Sequence, residues 1–283
     1  MFLSPLRYPG GKNKLAKYIA HFCSSNWVNW HYVEPYTGGG AVALHLLFNN
    51  IVNEITINDY DKSIYAFWYC VLNETEKFCR KIQRTEITLK NWDKFKKIQK
   101  NKNSASLFNL GFSTFFLNRT NVSGIIEGGM IWGREQKGKY KIDCRFNKNE
   151  LIERIRKIAT FKDKIHLYNM DALELVDTVL KHANSDNTIF YFDPPYYLHW
   201  PSLYMSHYKH QDHKQVSDKI KKIKNAHWVV SYDDTAEIRS LYKDCKIKDY
   251  AFNQAAYRSR LWKEVLFFSE HSQVPTFENP TKF

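Results

Sequence analysis

The sequence predicts an α/β sheet protein carrying a mainly helical insert, and three observations carry that prediction. Short runs of β-forming residues recur along the chain. Helical patterns lie between several of them, and the alternation breaks off once, where most of the excess positive charge is found. Strands alternating with helices require a sheet with both faces covered.

Taken in order, the strand candidates are WHYVEP (30–35), EITIND (54–59), KIHLYNMD (164–171), TIFYFD (188–193), HWVVSYD (227–233), KIKDYAF (246–252) and EVLFFS (264–269). Helical patterns follow at AVALHLLF (41–48), ALELVDTVLKH (172–182) and HKQVSDKIKKIK (213–224). Between Asp61 and about Ile158 the strands stop. KSIYAFWYCVLN, LKNWDKFKKIQKN and SLFNLGFSTFFLN read as helices there and give way to a Gly-rich basic loop, VSGIIEGGMIWGREQKGKYK. The economical division is one domain from 1–60 and 159–283, with 61–158 inserted into it.

Charge supports the same division. The 283-residue chain has 42 Lys+Arg against 29 Asp+Glu, a net charge of +13. Residues 61–160 hold 21 basic and 10 acidic side chains, so the excess is concentrated in the insert. A segregated basic region implies a polyanionic partner, nucleic acid first; a lysine-rich solvated surface would be spread more evenly. The five cysteines are scattered without CxxC spacing, and the histidines form no convincing ligand set, so the expectation is free thiols in a reducing cytoplasm and no metal. No apolar run approaches the ~18 residues of a membrane span.

The strand candidates share a feature: Glu34, Asp59, Asp171, Asp193 and Asp233 each stand at or just beyond a C-terminal strand end. Ligands of open α/β sheets bind outside those ends. One such acid is usually a helix cap or turn former, whereas several together suit a cationic or amine-bearing ligand. In VEPYTGGGAVAL (33–44), Gly38, Gly39 and Gly40 permit a tight turn before a helix. Asp59 follows Gly40 at about the 20 residues expected of an acid that bonds a ribose diol. A dinucleotide pyrophosphate would tolerate Glu34 poorly. S-adenosylmethionine, with a sulfonium and an ammonium and no phosphate, fits better. In RYPGGK (7–12), Tyr8 offers an aromatic wall to a sulfonium, the Pro-Gly-Gly turn with Gly11 brings backbone close, and Lys12 is suited to a cofactor carboxylate. The bland alternative is a turn before a helix.

YFDPPYY (191–197) ends an apolar run in a carboxylate, two prolines and two tyrosines. An exocyclic amine on a base is a poor nucleophile because its lone pair is delocalised. Asp193 supplies one acceptor for its N–H groups and the Pro194 carbonyl another, with Pro194 and Pro195 fixing the backbone. Tyr196 would stack on the base, which must leave the duplex to enter. The alternative is a Pro-Pro turn with surface tyrosines.

RYPGGK, VEPYTGGG, INDYD and YFDPPYY, in this order with a long insert before the last, resemble the Dam-like adenine-N6 DNA methyltransferases, and FFLNRTNVSGI (115–125) is similar to their recognition-domain segment. The resemblance implies a Rossmann-like, mostly parallel sheet ending in an antiparallel hairpin. It also implies S-adenosylmethionine held by Tyr8, Lys12, Glu34, Pro35, Tyr36, the glycine loop, Asp59, Asp171 and Asp193, and an insert that recognises duplex DNA. Methylation of adenine within GATC is not implied, because residues 128–148 depart from the family's recognition hairpin. Within the insert, Asn118, Arg119, Asn121 and Ser123 are candidates for base edges or phosphates, while Lys137, Lys139, Lys141, Arg145 and Lys148 look like backbone contacts. Asn118 and Arg119 end an apolar helix, so capping is an equal alternative. YRSRLWKE (257–264) adds phosphate contacts or ties a loop to the sheet. The functional partner is double-stranded DNA, a restriction endonuclease being a compatible second player, with no membrane and no obligate protein partner. The rival readings are a catalytically silent DNA-binding protein and methylation of another amine (RNA, cytosine N4, protein glutamine) on the same fold.

Overall fold

The computed structural model describes residues 3–8, 12–181, 187–198, 208–256, 258–276 and 280–281, with backbone alone from 252 to 262. Seven strands form one sheet: β1 (His31–Glu34), β2 (Glu54–Asn58), β3 (Ile165–Tyr168), β4 (Thr188–Phe192), β5 (His227–Asp233), β6 (Lys246–Ala256) and β7 (Arg258–Phe268). Their order is β3-β2-β1-β4-β5-β7-β6. β1 runs parallel to β2 and β4, and β4 parallel to β5, while β7 is antiparallel to both β5 and β6. The mostly parallel sheet with an antiparallel end is the one the sequence led us to expect.

The chain divides into two compact units, 12–58 with 170–283 and 1–11 with 59–169. The unit of 12–58 and 170–283 contains α1 (Ala16–Ser25), α2 (Ala41–Phe48), α8 (Ala172–Leu180), α9 (His210–Lys221) and α10 (Ala236–Leu241). Its central strands are buried from end to end: Tyr32, Val33, Ile189, Phe190, Phe192, Val229 and Val230 are all inaccessible. Strands buried on both faces lose the alternating pattern and read as continuous apolar runs. Tyrosine is admitted where its hydroxyl finds a partner: Tyr191 meets Ser231 Oγ at 3.0 Å and Tyr232 meets His213 Nδ1 at 3.0 Å.

The other unit contains α3 (Lys62–Asn73), α4 (Thr75–Arg84), α5 (Leu89–Lys100), α6 (Leu107–Thr120) and α7 (Lys148–Ala159). Asp61, Thr88, Ser106 and Asn147 cap four of these helices by accepting a backbone N–H from the first turn. Their core is a phenylalanine cluster. Phe95 packs on Phe112 and Phe116, Phe78 on Phe67, Phe112 and Phe115, and Phe146 on Phe115 and Phe116, with ring centroids 4.6–6.1 Å apart.

This division differs from the sequence reading at its edges. Residues 3–8 group with 59–169, because Asn118 grips Arg7 at both its N–H and C=O (2.7 Å each), and Arg119 and Arg154 donate to the carbonyls of Pro5 and Ser4.

Candidate active site

In the sheet order, β1 lies between β2 and β4, so the chain leaves β1 to build the sheet first on one side and later on the other. Such a reversal leaves a crevice outside the carboxyl ends of the two strands. Glu34 is the last residue of β1, and Asp193 directly follows β4.

The floor of the crevice is the turn after β1. Gly38 and Gly40 have φ of 49° and 60°, a left-handed region that favours glycine. Gly40 is the N-cap of α2, and its N–H donates to the Thr37 carbonyl at 2.8 Å. Asn58, at the end of β2 and 1% exposed, holds the turn from below. Its side chain donates to the carbonyls of Pro35 (2.9 Å) and Met170 (3.1 Å) and accepts the Met170 N–H at 3.0 Å. The Tyr36 hydroxyl, beside this turn, meets that of Tyr208 at 3.2 Å.

Glu34 is 4% exposed. Its Oε1 accepts from the Tyr32 hydroxyl at 2.7 Å, but its Oε2 is buried with no partner among the described residues. Burial is the main cause that pushes its carboxyl up to about 8; the Tyr32 hydroxyl opposes this and the charge of Asp193 adds to it. A buried carboxyl oxygen without a donor is costly, and its natural remedy is a ligand that brings one.

Asp193 is held by neighbours that the strand register delivers. Val230 pairs with Phe192, so Ser231 arrives beside Asp193, and its Oγ donates to Oδ1 at 2.8 Å. Glu264 pairs with Asp233 on one side and Tyr250 on the other, which sets it at the same edge of the sheet. Lys12 lies between the two acids, its Nζ 3.4 Å from Asp193 Oδ1 and 3.2 Å from Glu264 Oε2. It also donates to the Tyr196 hydroxyl, and Tyr250 donates to Glu264. Burial disfavours the Lys12 ammonium, yet Asp193 and Glu264 outweigh it and raise its pKa. Burial likewise pushes the Asp193 carboxyl up to about 6; Glu264 adds to this, while Lys12 and Ser231 hold it down. One cation thus serves two carboxylates, and the Asp193 side chain remains 21% exposed.

Asp233 anchors the segment that follows. Its Oδ1 accepts the Tyr197 N–H and its Oδ2 the Leu198 N–H, both at 2.9 Å. Pro194 and Pro195 are buried between these fixed points. Asp171 is the N-cap of α8, with Oδ1 accepting the N–H of Leu173 at 2.8 Å and of Glu174 at 3.4 Å.

The structure therefore brings Lys12, Glu34, Asp193 and Tyr196 into one unit with the glycine turn. Tyr8 and Asp59 belong to the other unit, where Asp59 Oδ1 accepts the Asp61 N–H at 2.9 Å. Gly11 and residues 257–262 of the YRSRLWKE segment lie outside the described residues or are described by backbone alone. Two residues read as base contacts have other work. Asn118 is 1% exposed and divides its amide among Arg7 and the Gly124 carbonyl. Asn121 is fully buried, donating to the carbonyls of Ile125, Ile126 and Gly128 and accepting from Trp92 Nε1 at 2.7 Å. Neither amide is presented to solvent. Arg119 Nε is spent on the Arg145 carbonyl at 2.7 Å, and Lys148 Nζ on the Gln83 carbonyl at 2.9 Å. Ser123 is half-buried with φ of 56°. Lys137, Lys139, Lys141 and Arg145 are exposed. Ser231, Glu264 and Tyr250 were not among the sequence candidates. Glu264 lies within β7, opposite Asp233 at the end of β5, a position that only the pairing register reveals.

The chain is similar to known methyltransferases. Residues 8–253 match the D12 class of N6 adenine-specific DNA methyltransferases. The Type II methyltransferase M.MjaIII of Methanocaldococcus jannaschii is 23% identical over 210 residues, covering 68% of each chain. Among solved structures, the rRNA methyltransferase AviRa from Streptomyces viridochromogenes superposes with a TM-score of 0.41 and 10% identity, over 93% of this chain and 86% of that one. With a turn, a strand-end acid pair and an Asp-Pro-Pro-Tyr segment at the switch point of the sheet, and a family match over most of its length, the chain belongs to the D12 class of N6 adenine-specific DNA methyltransferases.

Proposed function

We propose that this adenine-N6 DNA methyltransferase binds S-adenosylmethionine over the turn after β1 and methylates an adenine turned out of duplex DNA against Asp193. The observation that supports the reading most directly is the pair of raised acids, Glu34 and Asp193, on the two sides of the switch point. When bound, S-adenosylmethionine supplies an electrophilic methyl group. The residues present fit it: Glu34 Oε2 lacks a donor, which a cofactor ammonium or hydroxyl brings, and the glycines leave the backbone approachable.

Asp193 accepts one N–H of the adenine amine and the Pro194 carbonyl the other. Together they hold the amine so that its lone pair faces the methyl donor. Transfer would form the N–C bond as the methyl–sulfur bond breaks to leave a neutral thioether, and Asp193 would take the proton that the nitrogen sheds. The accepting species is the carboxylate, so the reaction gains rate as pH rises through about 6 in the free enzyme. Lys12 keeps that carboxylate charged and holds the Tyr196 hydroxyl, with Nζ 4.6 Å from the Tyr196 ring centroid. Glu264, bonded to Tyr250, holds Lys12 in place. Tyr196 is half-buried, and its ring is the stacking surface for the incoming base.

The test is methyl transfer from labelled cofactor to unmethylated duplex DNA. Asp193→Ala should lose at least ~100-fold in rate while binding S-adenosylmethionine by calorimetry as the unaltered chain does. An Asp193→Ala chain with undiminished transfer would remove Asp193 from the reaction.

A further inference from the structure

In the loop from Met130 to Phe146 the apolar residues divide unevenly. Met130, Ile131, Ile142 and Phe146 are buried, between 5% and 9% exposed. Trp132, the largest of the group, is 53% exposed with φ of 60°. A bulky side chain in the left-handed region is a backbone outlier, held there only because its surroundings require it.

Those surroundings are well defined. Gln136, itself at φ of 51°, donates from Nε2 to the carbonyls of Ile131 (2.8 Å) and Gly133 (2.6 Å), and its Oε1 accepts the Ile142 N–H at 2.7 Å. The Gln136 carbonyl accepts from Lys141 Nζ. At the base of the loop, Val122 N–H donates to Gly129 at 3.0 Å and Ile131 N–H to Thr120 at 2.9 Å. Gly138 lies against the indole; a Cβ there would stand 2.3 Å from Trp132 Cε3, so only glycine fits beneath the ring. Around it are exposed Lys139 and Lys141, Lys137, which pairs with Glu135 at 2.9 Å, and Tyr140, 51% exposed, with Lys139 Nζ 5.9 Å from its ring centroid. Arg134 is tied back by a two-pronged contact to Asp93 at 2.8 Å.

A clamped loop that buries its other apolar residues, keeps a strained tryptophan outside and surrounds it with cations matches the chemistry of a nucleic-acid contact: lysines for phosphates, an aromatic face for bases. We propose that Trp132 is a DNA-contacting residue, its indole making apolar contact with base edges of the bound duplex while Lys139 holds the backbone, and that Gln136 and Gly138 exist to present it. This rests on the reading that the chain acts on duplex DNA and adds the residue that senses sequence around the target.

The test uses the full chain with S-adenosylmethionine present. Trp132→Ala and Trp132→Asn are compared with Lys139→Ala for affinity to a labelled duplex over a range of salt, and methylated adenines are mapped in host DNA. Asparagine accepts left-handed backbone, so Trp132→Asn should melt no lower than the unaltered chain. Both tryptophan variants should bind about tenfold more weakly with an unchanged salt slope, and their methylation map should widen at one position. Lys139→Ala should instead reduce the salt slope by about one. Full affinity and an unchanged map in Trp132→Asn would overturn the proposal, as would weakened binding that tracks a lowered melting temperature in both variants. Failure of the unaltered chain to methylate DNA would count against the functional reading instead, leaving the affinity comparison to judge Trp132.

Discussion

Acids close the strands both at the switch point and at its flanks, and the two places use them differently. At the flanks, Asp233 spends both oxygens on backbone N–H groups of Tyr197 and Leu198, and Asp171 caps α8. At the switch point, Glu34 keeps an oxygen without a donor, and Asp193 shares one lysine with Glu264. The difference is how completely the oxygens are met: Asp233 has an amide on each, whereas Glu34, with the Tyr32 hydroxyl and a backbone contact at Ala43, keeps Oε2 without a partner among the described residues.

That contrast can be broken at either side, most severely at Asp233. Asp233→Ala leaves two amides of the Asp193–Leu198 segment without acceptors, at about 1–3 kcal/mol in total. Chemical denaturation should show that loss, and transfer should slow while cofactor affinity holds. An unchanged stability would mean the anchoring bonds carry little.

Glu34→Gln should cost about tenfold in cofactor affinity, near 1.4 kcal/mol. The protons sharpen this. Glu34 holds its proton in the free fold up to about 8, whereas an unfolded glutamate releases it near ~4.3. The folded state therefore binds more protons across that window, and this residue's contribution to stability falls as pH rises through it. A cationic cofactor favours the carboxylate, so binding near neutral pH should release a proton, visible as a calorimetric enthalpy that depends on the buffer. Glu34→Gln should abolish that dependence; its persistence would assign the proton elsewhere.

Ser231→Ala has the smallest expected effect. Its hydroxyl favours the Asp193 carboxylate, so removing it should move the acid limb of the rate profile to higher pH, with little change in the plateau. A limb that stays near 6 would show that Ser231 positions Asp193 without tuning it.

Much of this was legible in the chain. All seven strands were found by their β-branched and aromatic runs, although β6 runs on to Ala256 and β7 begins at Arg258, six residues before the run EVLFFS, and α2 and α3 were placed by continuous helical pattern. α4 escaped because it buries only Phe78, Cys79 and Ile82 in a polar run. The acids at the ends of parallel strands stood out for the same reason the strands did: apolar runs stop at them. Ser231 and Glu264 did not, because their roles come from pairing register across separate strands, and no local pattern records it. Asn118 and Asn121 were open to two readings for a related reason. A polar pair ending an apolar helix looks the same whether it meets DNA or the protein's own carbonyls.

The position of β7 has a consequence for how the enzyme comes into being. β7 pairs on both sides, between β5 and β6, although it follows both of them in the chain. During synthesis β6 has no place in the sheet until β7 has emerged to join it. Asp193 and Lys12 are both made long before Glu264, and until β7 zips in they face each other without their third member. The cluster of Lys12, Asp193 and Glu264 is thus completed only when β7 joins the sheet.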